Sequence, residues 1–158
     1  MDVFKIQLQN RSQINDFISS RWFSTEMVVR GRVVDMTRLA GFVAYEEDTI
    51  IGLVTYEIID QACEIMSLDS LWEGQGIGTT LLNQVIATAK ERGCHKITLI
   101  TTNDNLNAMG FYQKRGFDLI RLYHNALDIS RKLKPSIPLL GEFDIPLRHE
   151  LEFEMNLS

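Results

Sequence analysis

Leu68 to Gly93, LDSLWEGQGIGTTLLNQVIATAKERG, joins the end of a strand, a glycine-rich turn and a helix that is signed at both ends. Glycines at 74, 76 and 78 leave the backbone uncrowded by Cβ atoms and free to take positive φ, so several amide N–H groups can converge on one ligand oxygen. After the turn, Leu81, Leu82, Val85, Ile86 and Ala89 recur at the spacing of one apolar helical face. Lys90 and Arg92 fall in the last turn, and Gly93 follows where a left-handed cap is expected. Such a helix points its unpaired N–H groups and partial positive charge back into the turn, which suits a phosphate. The plainer alternative is a bare strand-to-helix connection.

Three nucleotide-site readings compete for the turn. A P-loop needs Lys-Ser/Thr after its last glycine, yet Thr79 and Thr80 follow Gly78, so no lysine is available for the β and γ phosphates. A dinucleotide fingerprint counted from Gly74 needs a glycine at position 79, where Thr79 stands, and no clean βαβ repeat surrounds it. The third reading is a pyrophosphate loop of the pattern Gln/Arg-x-x-Gly-x-Gly/Ala, in which Gly76 and Gly78 match and Glu73 replaces the usual Gln or Arg. Downstream, Asn105 to Phe117 reads NLNAMGFYQKRGF, with Asn105, Ala108, Tyr112, Gly116 and Phe117 in the register Asn-x-x-Ala-x-x-x-Tyr-x-x-x-Gly-Phe. A strand-like run, Lys96 to Thr102, separates the two motifs.

In this order and register the pair of motifs resembles the core of the GNAT N-acetyltransferase superfamily. The resemblance implies an α/β fold, a mixed sheet flanked by helices, as one domain over residues 1–158. It implies acetyl-CoA as acyl donor and no metal. In the family, the strand before the glycine turn splays from its parallel neighbour, so the main chain of Leu68, Asp69 and Ser70 would pair with the pantetheine arm. The pyrophosphate would lie on Glu73, Gly74, Gln75, Gly76, Ile77, Gly78 and Thr79, with Asn105, Asn107 and Tyr112 completing the cofactor contacts. Tyr112 is then the implied general acid: with an ordinary pKa of about 10 it holds its proton at neutral pH. Its alternative role is a core aromatic beside Phe111. Some relatives use a carboxylate on the preceding strand as general base; here that is Glu64, which regular alternation puts on one face with Met66 and Leu68.

The rest of the chain is consistent with one ordinary globular domain, since 158 residues at 45% hydrophobic content can bury a sizeable core. A net charge of −5 argues against nucleic acid as a partner. Cys63 and Cys94 have neither metal spacing nor the density of a disulfide scaffold, and no secretory signal or long apolar run is evident. No membrane partner is expected, and the cytoplasm is the expected compartment. His95, His124 and His149 share no motif and receive no catalytic role.

Val3 to Leu8 alternates as a first strand, and a helix is expected to start near Ser12 with a stripe of Ile14, Phe17, Ile18 and Trp22. Trp22 reads as core. Between Ser24 and Gly41 periodicity is lost, while Arg30, Arg32 and Arg38 gather near Gly31 as candidates for a substrate carboxylate. Phe42 to Tyr45 and Ile50 to Ile58 read as an antiparallel hairpin, and Ala62 to Leu68 runs into the glycine turn. After a strand from Phe117 to His124 and a short helical piece before Pro135, His149 to Asn156 alternates as an edge-type strand. Its face of Glu150, Glu152 and Glu154 is expected to meet water.

The expected function is acetyl transfer to a primary amine of a small molecule or protein, with a homodimer compatible with the sequence. The alternatives are a CoA-binding sensor that lacks turnover and a partner-binding subunit.

Overall fold

Helix α1 (Leu8–Trp22) begins earlier than Ser12, because the Gln7 N–H already finds an acceptor in Asn10 Oδ1 at 2.8 Å and so closes the reciprocal half of a capping box. That start shortens β1 to Asp2–Lys5. Ile14 and Ile18 of α1 are fully buried, while Phe17 and Trp22 are half-buried. The computed structural model describes every residue from Met1 to Ser158. It has a mixed α/β fold in which helices flank sheet. No helix is long and apolar enough to cross a membrane.

By its internal contacts the chain divides into two units. The first comprises Met1–Glu26, Asp35–Ile97 and Leu157–Ser158. Its strands β4 (Ala40–Glu46), β5 (Thr49–Ile59) and β6 (Ala62–Ser70) follow β1 in the order β1-β4-β5-β6, each antiparallel to the next. Helix α2 (Ile77–Glu91) packs on β4, β5 and β6 through Ile77, Leu81, Leu82, Val85 and Ala89, all buried. Gly52 makes this approach feasible: a Cβ there would stand 2.5 Å from Ile77 Cγ2 and 3.0 Å from Leu81 Cδ1. At the far end of α2, the Gly93 N–H reaches Lys90 O at 3.1 Å and the Cys94 N–H reaches Ala89 O at 2.9 Å, the paired bonds of a Schellman cap.

Register along β6 departs from simple alternation. Thr55 pairs with Ser67 but Tyr56 pairs with Ile65, so Met66 is an extra residue, a β-bulge. Directly opposed residues share a face, which places Glu64 (opposite Glu57), Ser67 (opposite Thr55) and Asp69 (opposite Leu53) together. The expected grouping of Glu64 with Met66 and Leu68 is therefore corrected, because the bulge shifts the phase of everything after it. Gly52, Val54 and Tyr56, with Ser70, Leu68 and Ile65 opposite them, form the other face, the one under α2.

The second unit comprises Met27–Val34 and Thr98–Asn156. In place of the irregular segment expected after Ser24, β2 (Glu26–Val29) and β3 (Arg32–Asp35) form a two-stranded sheet around Arg30 and Gly31, both at positive φ as a tight hairpin turn requires. The remaining strands are β7 (Lys96–Thr102), β8 (Asp118–Tyr123) and β9 (Glu150–Asn156), in the order β7-β9-β8. Helices α3 (Leu106–Lys114) and α4 (Ala126–Leu133) complete the unit. The expected edge strand is thus an inner one. Glu150 and Glu152 are 4% and 8% exposed rather than solvated. Glu150 accepts the Arg30 N–H at 3.3 Å, and Glu152 accepts the Tyr123 hydroxyl and pairs with Arg121 at 3.5 Å. The edge is β8, with Leu119, Ile120 and Leu122 exposed.

Candidate functional site

In the first unit, the main chain leaves β6 at Ser70 and turns through Gly74 and Gly76, at φ +75 and +76, before α2 begins. A Cβ at either glycine would meet no atom within 4 Å, so packing does not demand glycine there; the left-handed backbone does. Gly78, expected to share that role, lies instead inside the first turn of α2. No side chain caps α2 and no acidic residue sits in its first turn. The first internal bond is Thr80 N–H to Gly76 O at 3.0 Å, so by helix geometry the Ile77 and Gly78 amides have no carbonyl one turn back. Glu73, Gln75 and both turn glycines are exposed, whereas Ile77 is buried under the helix and Gly78 and Thr79 are half-buried. An uncapped helix start behind two left-handed glycines fits a phosphate or pyrophosphate group.

Leu68, Asp69 and Ser70 are half-buried at the end of β6. On the face shared by Glu64, Ser67 and Asp69, the Ser67 and Thr55 hydroxyls lie 2.6 Å apart. Asp69 Oδ2 accepts the Trp22 indole N–H at 2.9 Å, and Oδ1 stands 3.9 Å from Arg21 Nε. Burial raises the Asp69 pKa above the usual aspartate value, against the opposing pull of the Trp22 hydrogen bond and the Arg21 charge. This tie went unread in the sequence, where Trp22 appears as a stripe residue; 47 positions separate the partners, beyond any local periodicity. Glu64 is buried on the same face, four pairing positions from Asp69.

The second motif residues stand in the second unit. Asn105 caps α3: its Oδ1 accepts the Ala108 N–H at 3.2 Å and its Nδ2 donates to Thr101 Oγ1 at 3.2 Å. Asn107 is exposed on the first turn. The Tyr112 ring is buried edge-on against Phe111 at 5.1 Å and Phe117 at 5.4 Å, with Phe153 at 6.4 Å. Two neighbours of Asn105 form a hub that sequence reasoning missed. Asn103 Oδ1 accepts the Arg148 and His149 N–H groups, each at 2.9 Å, and its Nδ2 donates to Pro146 O at 2.9 Å. Buried Asp104 accepts the Thr102 hydroxyl at 2.5 Å and the Glu142 N–H at 2.9 Å.

Arg38 is exposed and pairs with Asp35 at 3.3 Å. Arg30 occupies the β2–β3 turn. His124 and His149 stack at 4.8 Å, and His149 Nδ1 accepts the Asn125 N–H at 2.8 Å where α4 begins.

Comparison with known proteins bears on what this arrangement serves. The model of the Acetyltransferase (GNAT) family matches residues 10–117. The uncharacterized protein YxbD of Bacillus subtilis (strain 168) is 45% identical over 139 residues, 87% of each chain. Among solved structures, IAA acetyltransferase from Bacillus cereus ATCC 14579 superposes with a TM-score of 0.71 at 21% identity, covering 99% of each chain. A GNAT family acetyltransferase from Elizabethkingia anophelis with acetyl-CoA bound gives 0.70 at 20% identity, covering 99% of this chain and 97% of that one.

Proposed function

The chain belongs to the GNAT acetyltransferase family, and from that premise we propose that it transfers the acetyl group of acetyl-CoA to a primary amine. The observation that carries this reading is the uncapped start of α2 behind Gly74 and Gly76, a seat for the donor's pyrophosphate. The family match runs through residues of both units, which supports reading residues 1–158 as one catalytic domain. In the donor, a thioester supplies an activated acyl group. Main-chain groups of Leu68–Ser70 hold its pantetheine arm, and Asn105, with Asn107 beside it, contributes from the start of α3.

A lysine-type amine has a pKa of about 10.4 and is protonated at neutral pH, so a base must take its proton before nitrogen attacks the thioester carbon. The carboxylates on the polar face of β6, Glu64 among them, are the groups for that step. As the C–N bond forms, a backbone N–H of β6 stabilises the developing oxyanion; the C–S bond then breaks and Tyr112 gives its hydroxyl proton to the departing thiolate. The net charge of −5 favours a cationic acceptor, a small-molecule or protein amine, by long-range attraction.

A thiol-release assay with acetyl-CoA and a panel of amines tests the reading. Tyr112→Phe keeps the ring packed against Phe111 and Phe117 and removes only the hydroxyl. It should lower kcat by about a hundredfold with CoA affinity nearly unchanged. Turnover at the normal rate, with chemistry rate-limiting, would remove Tyr112 from the reaction. Tight CoA binding with no thiol release from any amine would instead favour a sensor.

A further inference from the structure

We propose that Asp69, rather than Glu64, is the general base that accepts the acceptor amine's proton, with Trp22 as the residue that aims it. The proposal rests on the acyl-transfer reading and deepens it. The bulge at Met66 sets Glu64, Ser67 and Asp69 on one face of β6. Along that face Glu64 at 8% and the Asp69 side chain at 12% are similarly buried, so position along the strand separates them, and the Ser67 hydroxyl between them is engaged with Thr55. Asp69 is the carboxylate next to the strand's end, within the Leu68–Ser70 stretch that leads into the glycine turn.

Its two oxygens are inequivalent. Oδ2 is fixed by the Trp22 indole N–H at 2.9 Å, while Oδ1 has only Arg21 Nε at 3.9 Å, an ion-pair separation too long for a hydrogen bond. A carboxylate held by one oxygen and open at the other presents a lone pair in a set direction. That is what removing an amine proton requires. The charged group beside it is Arg21 from α1, while Glu64 and Glu57, the other charged groups on that face of β6 and β5, lie four pairing positions away. Burial raises its pKa and so makes it a stronger base near neutral pH than an ordinary aspartate. The ammonium gives its first proton to Oδ1 before nitrogen attacks the thioester carbon; the second nitrogen proton, released once the C–N bond has formed, returns through solvent to Tyr112 and replaces the one its hydroxyl gives to the departing thiolate, so the step balances.

The rival account is a structural tie between α1 and β6. Asp69→Asn separates the two, since the amide oxygen still accepts the indole N–H and the volume is kept. The expected result is a fall in kcat of about a hundredfold or more, with KM for acetyl-CoA little changed. The rising limb of the kcat–pH profile that ionisation of Asp69 produces should vanish. Trp22→Phe removes a hydrogen bond that favours the charged carboxylate, so it should move that limb to higher pH. An Asp69→Asn enzyme that keeps its kcat and its limb would overturn the proposal, as would a Trp22→Phe limb that moves down. If the wild-type protein binds CoA but acylates no amine, the acyl-transfer reading fails and the base assignment falls with it, an outcome distinct from an active wild type whose Asp69→Asn variant keeps its kcat.

Discussion

Helix α2 begins at Gly76 with no side chain on its first amides, whereas α3 begins at Asn105, whose Oδ1 accepts the Ala108 N–H at 3.2 Å. Both starts lie in family motifs, yet their polar groups are disposed in opposite ways. At α2 the Ile77 and Gly78 amides have no carbonyl one turn back and follow two exposed glycines. At α3 the asparagine oxygen is used within the helix start, and beside it Asn103 and Asp104 bind the distant segment that leads into β9. The same backbone chemistry is thus met by a side chain at one helix start and not at the other, and the cap residue makes the difference.

The sharpest break in this contrast comes from Asp104→Ala. It strips the acceptor from Thr102 and from the Glu142 N–H, and should destabilise the protein by about 3 kcal/mol, read from denaturant unfolding. Its CoA-induced thermal shift should persist. The converse holds for Gly76→Val. At a hundred times the dissociation constant CoA should stabilise the wild type by about 2.7 kcal/mol, and the valine should abolish that shift while leaving a folded protein. A normal thermal response from the valine variant would contradict the phosphate seat. Asn105→Ala is smaller, about 1 kcal/mol of stability, recovered largely by Asn105→Ser because serine also caps. A large loss of CoA affinity without that stability loss would show the cap to be secondary to ligand contact.

The smallest effect is a pH dependence. A carboxyl whose folded pKa is raised binds its proton more readily in the native state, so stability falls as pH rises from the unfolded value, about 3.9, through the folded one. Asp69→Asn should therefore flatten this part of the stability–pH curve and leave the protein at least as stable at pH 7. A loss of stability at pH 7 would mean that the ionised carboxylate supports the fold.

Much of this architecture is legible in the sequence because long periodic runs carry their own faces. Strands β4 to β7 and helix α2 fall where alternation and helical spacing put them, and Gly93 caps as its position implies. What escapes is whatever periodicity does not encode. Strands β2 and β3, with four residues each, are too short to alternate visibly. Alternation in β9 distinguishes two faces but not which is wet, and strand order buried Glu150 and Glu152. Glu64 was misplaced because period two assumes no bulge. The Trp22–Asp69 and Asp104–Glu142 bonds join distant segments, and single-sequence patterns hold no record of them.

The extra residue in β6 also changes what an insertion or deletion would do. Removing one residue elsewhere in Ala62–Ser70 exchanges the faces of the flanking segment, turning carboxylates toward Ile77 and Leu81 or leucine toward Trp22. Removing Met66 alone keeps every cross-strand partner, Ile65 with Tyr56 and Ser67 with Thr55 included, and takes away one buried methionine together with the local bend and added twist. The strand thus contains one position at which a gap leaves every carboxylate and hydroxyl on its own face, and is felt in the core packing and the path of the main chain instead.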